Sequence, residues 1–514
     1  MEKNSDDYIP AFFENRSIFI TGGTGFIGKV LIEKLLRSCP GVAEIFVLIR
    51  PKKGLNVNER IKKMLDNKLF DVLRSKQPSS FDKIIPITGD IAAENLGMIK
   101  SEREMLIERV SIIFHVAASV RFDDALKEAV FINTRSTRDI CILAQSMKNL
   151  NVLLHVSSTY TQTDKRVVEE IVYPLDVDWQ QMIKISESVD DFSLKILTAK
   201  FLDTMPNTYT FTKRLAEQVI NDYSESLPCV LIRPSIIINA ADEPLKGWID
   251  NFNGPIGMLI GGGTGLIRVV FADKKIMADY VPVDAAVKII LIATCKHGIK
   301  AKEDKNKMIE VYNCSSNQIK SLEVGQMVDL GLSITKDVPI EKIIYNPGTT
   351  VTKNYYIYYT LMLTLHILPA LFLDTLMKLF GARPILLKLQ RKVYVSNNAL
   401  SYFLLNEWKF YNEKVLNLLH NISEDNKEEF GFPYEDLDLS IFYKNGLIGS
   451  KLYLLNEKME NLDSAKRHYK RMKWIDIIVK TLFVVTIVWI LYRKNIFSYI
   501  MNIFSSFIML ILFN

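Results

Sequence analysis

Cysteine is scarce in this 514-residue chain. Its five cysteines, at 39, 141, 229, 295 and 314, are scattered, and none lies in a C-x-x-C pair. The six histidines make no metal-ligand spacing with them. These absences argue against a metal site and a disulfide framework, and they place the main body in a reducing compartment. Charge of one sign is also missing. Lys and Arg number 64 against 58 Asp and Glu, a net charge of +6. Much of the local excess falls in residues 466–473, so no nucleic-acid partner is expected. The opening residues Met1-Glu2-Lys3-Asn4-Ser5-Asp6-Asp7 lack an apolar run and do not read as a signal peptide. A hydrophobic content of 48% is ample for large cores, and the length suits about two to four domains.

The most informative stretch that is present is Ile18-Phe19-Ile20-Thr21-Gly22-Gly23-Thr24-Gly25-Phe26-Ile27-Gly28. Three apolar residues predict a short buried strand, and glycines at 22, 25 and 28 predict a tight turn. Apolar residues at helical spacing then predict a helix over 26–36. A strand, a glycine turn and a helix N-terminus together offer backbone N–H groups and a dipole to a dinucleotide pyrophosphate. The spacing, G-x-x-G-x-x-G, resembles that of short-chain dehydrogenase/reductases.

A second motif lies far downstream, at Tyr209-Thr210-Phe211-Thr212-Lys213. Residues four apart share a helix face. A phenol is a poor acid near neutrality, with an unperturbed pKa of about 10, and a neighbouring ammonium is expected to lower it. Lys213 can also hold the cofactor ribose. Between the two motifs, Val152-Leu153-Leu154-His155-Val156 predicts a buried strand with Ser157-Ser158 at its C-terminal end. Ligands of open α/β sheets gather at such ends. Ser158 is the preferred hydroxyl for a substrate carbonyl, with Ser157 next; a capping role for the serine is the plainer alternative.

Strand-helix alternation runs from Ser17 to about Ala293 and predicts a doubly wound parallel sheet of the Rossmann type. The second strand, Glu44-Ile45-Phe46-Val47-Leu48-Ile49, ends at Arg50-Pro51-Lys52-Lys53. NAD enzymes place an acid there; Arg50 and Lys53 suit the 2′-phosphate of NADP instead. Asp90 follows the next strand and is placed near an adenine. The fourth strand runs through Ser111-Ile112-Ile113-Phe114-His115-Val116-Ala117-Ala118. Ala117 there lets the backbone approach the cofactor, and His115 reads as a satisfied strand residue. Asn133, in the following helix, is expected to contact cofactor or backbone. Arg233-Pro234-Ser235 closes a late strand near the nicotinamide end.

The interval from Ser158 to Tyr209 is too long for a structureless loop and reads as an inserted cover over the substrate pocket. Gly261-Gly262-Gly263-Thr264-Gly265 lacks a strand-turn-helix context and is expected to be a flexible loop. From about Ile340 the pattern changes. Residues 355–373 are strongly apolar, broken by Pro369 and closed by Asp374, and we expect an interfacial or buried hydrophobic hairpin. Near the C-terminus, a basic collar (Lys466, Arg467, Lys470, Arg471, Lys473) precedes two apolar segments, 474–492 and 496–512. The first carries Asp476 and Lys480. One span or a hairpin both fit, and the collar puts residues 1–473 on the cytosolic side.

Together these residues resemble the fatty acyl-CoA reductases of insects and other animals, over nearly the whole chain. Residues Thr21 to Gly28 match that family's cofactor motif, so Thr21, Gly22, Gly25, Phe26, Ile27 and Gly28 are expected at the cofactor. Tyr209 and Lys213 match its Y-x-x-x-K. Val156-Ser157-Ser158-Thr159-Tyr160, Arg233-Pro234-Ser235 and Val281-Pro282-Val283-Asp284 are also similar. His366-Ile367-Leu368-Pro369-Ala370 and Asn406-Glu407-Trp408-Lys409-Phe410 resemble the family's tail domain, which sugar epimerases and steroid dehydrogenases lack. Tyr345-Asn346-Pro347 and Asp438-Leu439-Ser440 depart from the pattern, standing where the family often has tryptophan. The resemblance implies a membrane-anchored, NADPH-dependent enzyme of the endoplasmic reticulum or peroxisome that reduces fatty acyl-CoA to fatty alcohol and CoA. The implied organisation is a reductase domain over 1–340, a helical tail domain over 341–460, a basic linker over 461–473 and an anchor over 474–514. The rival readings are another membrane-bound extended reductase, such as a sterol dehydrogenase, and a silent lipid-binding scaffold. The intact glycines and Tyr209/Lys213 oppose the scaffold.

Overall fold

The computed structural model describes residues 8–52, 54–303 and 309–494. The expectations for Lys53, for residues 1–7 and for the apolar segment 496–512 lie outside them. Seven strands form the central sheet: β1 (Ser17–Thr21), β2 (Glu44–Ile49), β3 (Ile84–Thr88), β4 (Val110–His115), β5 (Val152–Val156), β6 (Cys229–Pro234) and β7 (Glu310–Cys314). Their spatial order is β7-β6-β5-β4-β1-β2-β3, and every pairing is parallel. A parallel sheet is covered on both faces, which is why its strands read as continuous apolar runs. Ile18 and Ile20 of β1 enter one core and Phe19 the other. In β4, Ile112 and Phe114 face the first core and Ile113 the second, as the two-residue period of a strand requires. The expected fourth strand stops at His115, because Ala117 and Ala118 already belong to the loop leaving the sheet.

Three helices frame the strand ends. α1 (Phe26–Ser38) follows β1, α2 (residues 126–146, with a π-helical turn over Val130–Arg135) follows β4, and α3 (Thr208–Tyr223) precedes β6. The order reverses between β1 and β4, which opens a crevice at their C-terminal ends. The long interval before α3 holds helices Trp179–Ser188 and Asp191–Leu202. They pack against α2 and α3; Trp179 donates its indole N–H to Asp222 at 2.7 Å. The glycine run at 261–265 is not a free loop. Gly261, Gly262 and Gly263 are the buried end of the helix Gly254–Gly263. A Cβ on Gly261 would lie 2.5 Å from Ile267, and one on Gly263 would lie 3.1 Å from Ile340. Glycine here permits close packing, a use that its low helix propensity concealed.

The tail is woven into the sheet. Lys409–Phe410 pairs with Val167–Val168, and Asn313 of β7 donates to the carbonyls of Tyr411 (2.8 Å) and Val168 (3.1 Å). Residues 355–405 form a helical hairpin: α4 (Tyr355–Leu379) turns into α5 (Leu386–Leu405). His366 of α4 accepts from the backbone N–H groups of Arg268 and Val269, both at 3.2 Å, which holds the hairpin on strand Val269–Phe271. A last helix, α6 (Met459–Arg493), is long and apolar enough to cross a membrane, as is α4. Its most apolar window has no buried residue. The acid within it is accounted for: Asp476 meets Arg268 (3.6 Å), Lys480 (2.7 Å) and the Asn346 amide (3.2 Å).

Candidate active site

The glycine turn is built for close approach. Gly22 has φ of +74°, and a Cβ there would sit 2.7 Å from the backbone nitrogen of Ala117. A Cβ on Gly28 would lie 2.3 Å from the Gly22 carbonyl oxygen. The turn therefore lies directly against the strand end at Ala117 and beneath its own helix. Gly25 is the N-cap of α1 and brings no side-chain cap, so the first N–H groups of that helix, at Phe26, Ile27 and Gly28, are left for a ligand. The Phe26 ring is turned away and stacks on Trp248 at 5.4 Å. Thr21 is buried and bonds His115 Nδ1 at 2.8 Å, while His115 Nε2 meets Thr137 at 3.0 Å. Burial, with a smaller push from Lys213, lowers His115 to about 3, so it is a neutral tie between strand and helix.

Arg50 follows β2, largely exposed, with its guanidinium 3.8 Å from Asp90. Asp90 also accepts from the backbone N–H of Ala92 at 3.0 Å. The amide of Asn133 is fully used within the protein. Its oxygen accepts from Ser119 N–H (2.9 Å), and its nitrogen donates to Thr212 (2.9 Å) and the Ser119 carbonyl (3.3 Å). It stitches the loop after β4 to the helix that carries Tyr209 and Lys213.

The catalytic candidates converge at the end of β5. Asn207 caps α3 by accepting from Thr210 N–H at 2.9 Å, which fixes the first turn and Tyr209 within it. The Tyr209 hydroxyl faces the Ser158 side chain, which favours its ionised form. Ser158 also caps the short turn Thr159–Thr161, accepting from Tyr160 N–H at 3.3 Å, so the capping and site roles coexist. Ser157 points elsewhere, donating to Glu217 at 2.6 Å. Burial raises Tyr209 to about 12, opposed by Ser158 and aided by Glu217. The expected lowering by Lys213 is not found. Its ammonium is buried and donates to the Val156 carbonyl at 2.6 Å, and burial depresses it to about 8 against the pull of Glu217. The phenol therefore keeps its proton, which suits a donor.

Three features beyond the motifs shape the site. Glu217, a further turn along α3, makes a fully buried pair with Arg233 of β6 and also accepts from Thr161. Its position four residues after Lys213 was the signal for it. Asp279 gathers Ser235 (2.9 Å) and the backbone N–H of Ser316 (2.9 Å) beyond the ends of β6 and β7. Finally, the Tyr209 ring lies 5.9 Å from Phe122, which lies 5.4 Å from Phe403 of α5. Nothing in the local sequence pattern brings Phe403 to this place.

A doubly wound parallel sheet, a glycine turn at its switch point and a Tyr/Lys/Ser group at an adjacent strand end define an extended nicotinamide-dependent reductase. Comparison with known proteins narrows this. Two sequence profiles, both described as male sterility protein, match residues 20–290 (its NAD-binding part) and 365–457. The chain is 36% identical over 479 residues to fatty acyl-CoA reductase 1 of Xenopus laevis, covering 93% of this chain and 92% of that protein. It is 34% identical to fatty acyl-CoA reductase wat of Drosophila melanogaster, covering 94% and 92%. Among solved structures, the terminal R domain of the myxalamid PKS-NRPS biosynthetic pathway superposes with a TM-score of 0.58 at 18% identity, covering 86% and 92%. The reductase domain of a nonribosomal peptide synthetase from Mycobacterium tuberculosis gives 0.56 at 15% identity, again covering 86% and 92%. At such identities these two show the fold alone. The chain belongs to the fatty acyl-CoA reductase family; it is an oxidoreductase with a nicotinamide-binding domain.

Proposed function

We propose that this chain reduces long-chain fatty acyl-CoA to fatty alcohol and CoA with NADPH, through an aldehyde that stays bound. The observation that carries the mechanism is the meeting of Tyr209 and Ser158 at the end of β5, where burial keeps the phenol protonated. The cradle at Gly22, Gly25 and Gly28 fits a dinucleotide pyrophosphate, since any Cβ at 22 or 28 would fill it. Arg50 fits a 2′-phosphate as a bidentate partner, which favours NADPH over NADH. Two molecules of NADPH, bound in turn, would each supply one hydride.

The protein's part is acid catalysis and positioning. Ser158 orients the thioester carbonyl, and Tyr209 donates its proton as negative charge develops on that oxygen. The hemithioacetal then breaks its C–S bond as its hydroxyl proton returns to Tyr209, CoA leaves as the thiolate and takes a proton from solvent, and the aldehyde carbonyl takes the same place for the second reduction. Lys213, one helical turn after the tyrosine on α3, would hold the cofactor ribose. A membrane-anchored enzyme of the endoplasmic reticulum or peroxisome, with its body in the cytosol, suits an acyl chain and an alcohol that partition into lipid. The bare apolar helix α6 supports that placement.

The test is turnover of NADPH with a panel of acyl-CoAs, with CoA release measured and products resolved by chromatography. Fatty alcohol and stoichiometric CoA are expected. NADPH binding without oxidation by any acyl-CoA would leave a lipid-binding scaffold, and reduction without CoA release would leave a different reductase.

A further inference from the structure

The turn between α4 and α5 is an ordered apolar tip. Leu379 and Phe380 are 75% and 85% exposed, and Phe372, about two helical turns back, is 64% exposed. Ile385, on the far side of the turn, is also exposed. Such side chains normally lie in a core or against a partner. The tip is nevertheless tightly built. Gly381 (φ +75°) ends α4, with Ala382 N–H donating to the Met377 carbonyl at 2.7 Å, a Schellman closure. Asp374 is buried and accepts from the backbone N–H groups of Ile385, Leu386 and Leu387 at 3.0, 2.9 and 2.9 Å. The opening N–H groups of α5 are therefore satisfied from within. Pairing the last N–H groups of α4 and the first of α5 internally lowers the cost of bringing the turn toward hydrocarbon.

Charge names the occupant. Within residues 355–405 Asp374 is the lone acid, and it is turned inward. Lys378, Arg383 and Lys388 stand exposed around the tip, with Arg391 and Lys392 further along α5. Apolar residues below a ring of cations match an anionic phospholipid surface. The placement agrees. Arg268 binds the hairpin through its backbone N–H to His366 and the base of α6 through its guanidinium to Asp476. Tyr345 lies 5.7 Å from that guanidinium.

We propose that the α4–α5 tip inserts into the anionic leaflet that α6 enters, giving the enzyme a second point of attachment. The inference rests on the membrane reading of α6. One consequence follows from α5 itself. The helix starts at the tip, its 20 residues span about 30 Å, and near its far end Phe403 packs on Phe122, which packs on Tyr209. Docking the tip fixes the distance of the catalytic tyrosine from the lipid.

The five native cysteines are buried, so single introduced thiols can be labelled selectively. Full-length Phe380→Cys and Val484→Cys, each carrying an environment-sensitive fluorophore, are reconstituted into phosphatidylcholine vesicles with and without phosphatidylserine. Vesicles with brominated acyl chains supply the quencher. Quenching at both positions is expected, with the label at 380 lying about 5–10 Å below the headgroup boundary. Phosphatidylserine should strengthen quenching at 380, and each of Lys378→Gln, Arg383→Gln and Lys388→Gln should weaken that insertion roughly fivefold. Quenching at 484 alone overturns the second attachment while leaving the anchor standing. Quenching at neither overturns the membrane reading itself. A label at 380 that is already shielded in a detergent-purified dimer overturns the proposal in favour of a second copy of the chain.

Discussion

The carboxylate of Glu217 and the guanidinium of Arg233 face each other through two hydrogen bonds, of 2.8 and 2.7 Å, and neither side chain reaches solvent. The pair ties the catalytic helix to β6, and through Ser157 it holds the strand end on which Ser158 sits. Removing one partner of a buried pair leaves the other charge uncompensated. Glu217→Gln should therefore cost about 3–5 kcal/mol of stability, whereas the double variant Glu217→Leu/Arg233→Met should recover much of that loss. Urea unfolding of the three proteins measures this; equal losses for single and double variants would show that the charges are not coupled.

Tyr209→Phe keeps the ring beside Phe122 and removes only the hydroxyl. Turnover should fall by roughly 10²–10⁴-fold, the usual worth of a general acid. NADPH affinity, set by the glycine turn, should change little. Stopped-flow binding and steady-state rates separate the two, and activity within a fewfold of wild type would remove Tyr209 as the donor.

Lys213 gives the free enzyme a signature in pH. Burial lowers it to about 8, whereas an unfolded lysine titrates near about 10.4. Below the folded value both states are protonated, and the buried cation carries its full cost. Between the two values the unfolded chain binds more protons, so stability rises with pH. The difference in urea midpoint between wild type and Lys213→Met should thus move in favour of wild type as pH climbs from about 8 to 10. A difference that is flat across that window would mean that the lysine is not depressed.

Much of this site could be read along the chain because its parts are local. The glycine turn needs only contiguous residues, and Tyr209, Lys213 and Glu217 share a face through helical spacing alone. What could not be read depends on tertiary environment. Spacing predicted that Lys213 would acidify Tyr209; burial outweighs it, and the ammonium is committed to the Val156 carbonyl. Asn133 was expected at cofactor or backbone, and it does bond the Ser119 backbone; its side-chain partner Thr212 is visible only once α2 and α3 are packed. The glycine run at 261–265 looked flexible because its reason, the closeness of Ile267 and Ile340, lies in other segments.

On the proposed NADPH reading, cofactor choice would turn on Arg50. Its guanidinium rests near Asp90 at 3.8 Å and is mostly exposed, so the contact is weak and open to competition by a phosphate. Arg50→Ala should raise the KM for NADPH by roughly 10–100-fold, as loss of a charge-assisted hydrogen bond of about 1.5–3 kcal/mol implies, with little change for NADH. Parallel increases for both cofactors would place Arg50 outside the 2′-phosphate site.

Phe403 offers a test of whether the tail takes part in substrate choice. It is a half-buried ring on α5 that touches Phe122 (5.4 Å), Tyr160 (5.3 Å) and Trp408 (6.0 Å). Phe122 in turn lies beside the catalytic tyrosine. An acyl chain whose carbonyl is at Tyr209 and which extends toward α5 would meet this aromatic wall. Phe403→Ala opens space there without touching the glycine turn or the Tyr/Lys pair. A methylene in an apolar pocket is worth about 1–3 kcal/mol of discrimination, so the ratio of kcat/KM between longer and shorter acyl-CoAs should shift by roughly tenfold or more. NADPH binding should stay at the wild-type value. The measurement is competition between acyl-CoAs of different length, with alcohols resolved by chromatography. A uniform fall in kcat/KM for every chain length would make the ring a structural prop, and the acyl chain would then leave Tyr209 in another direction.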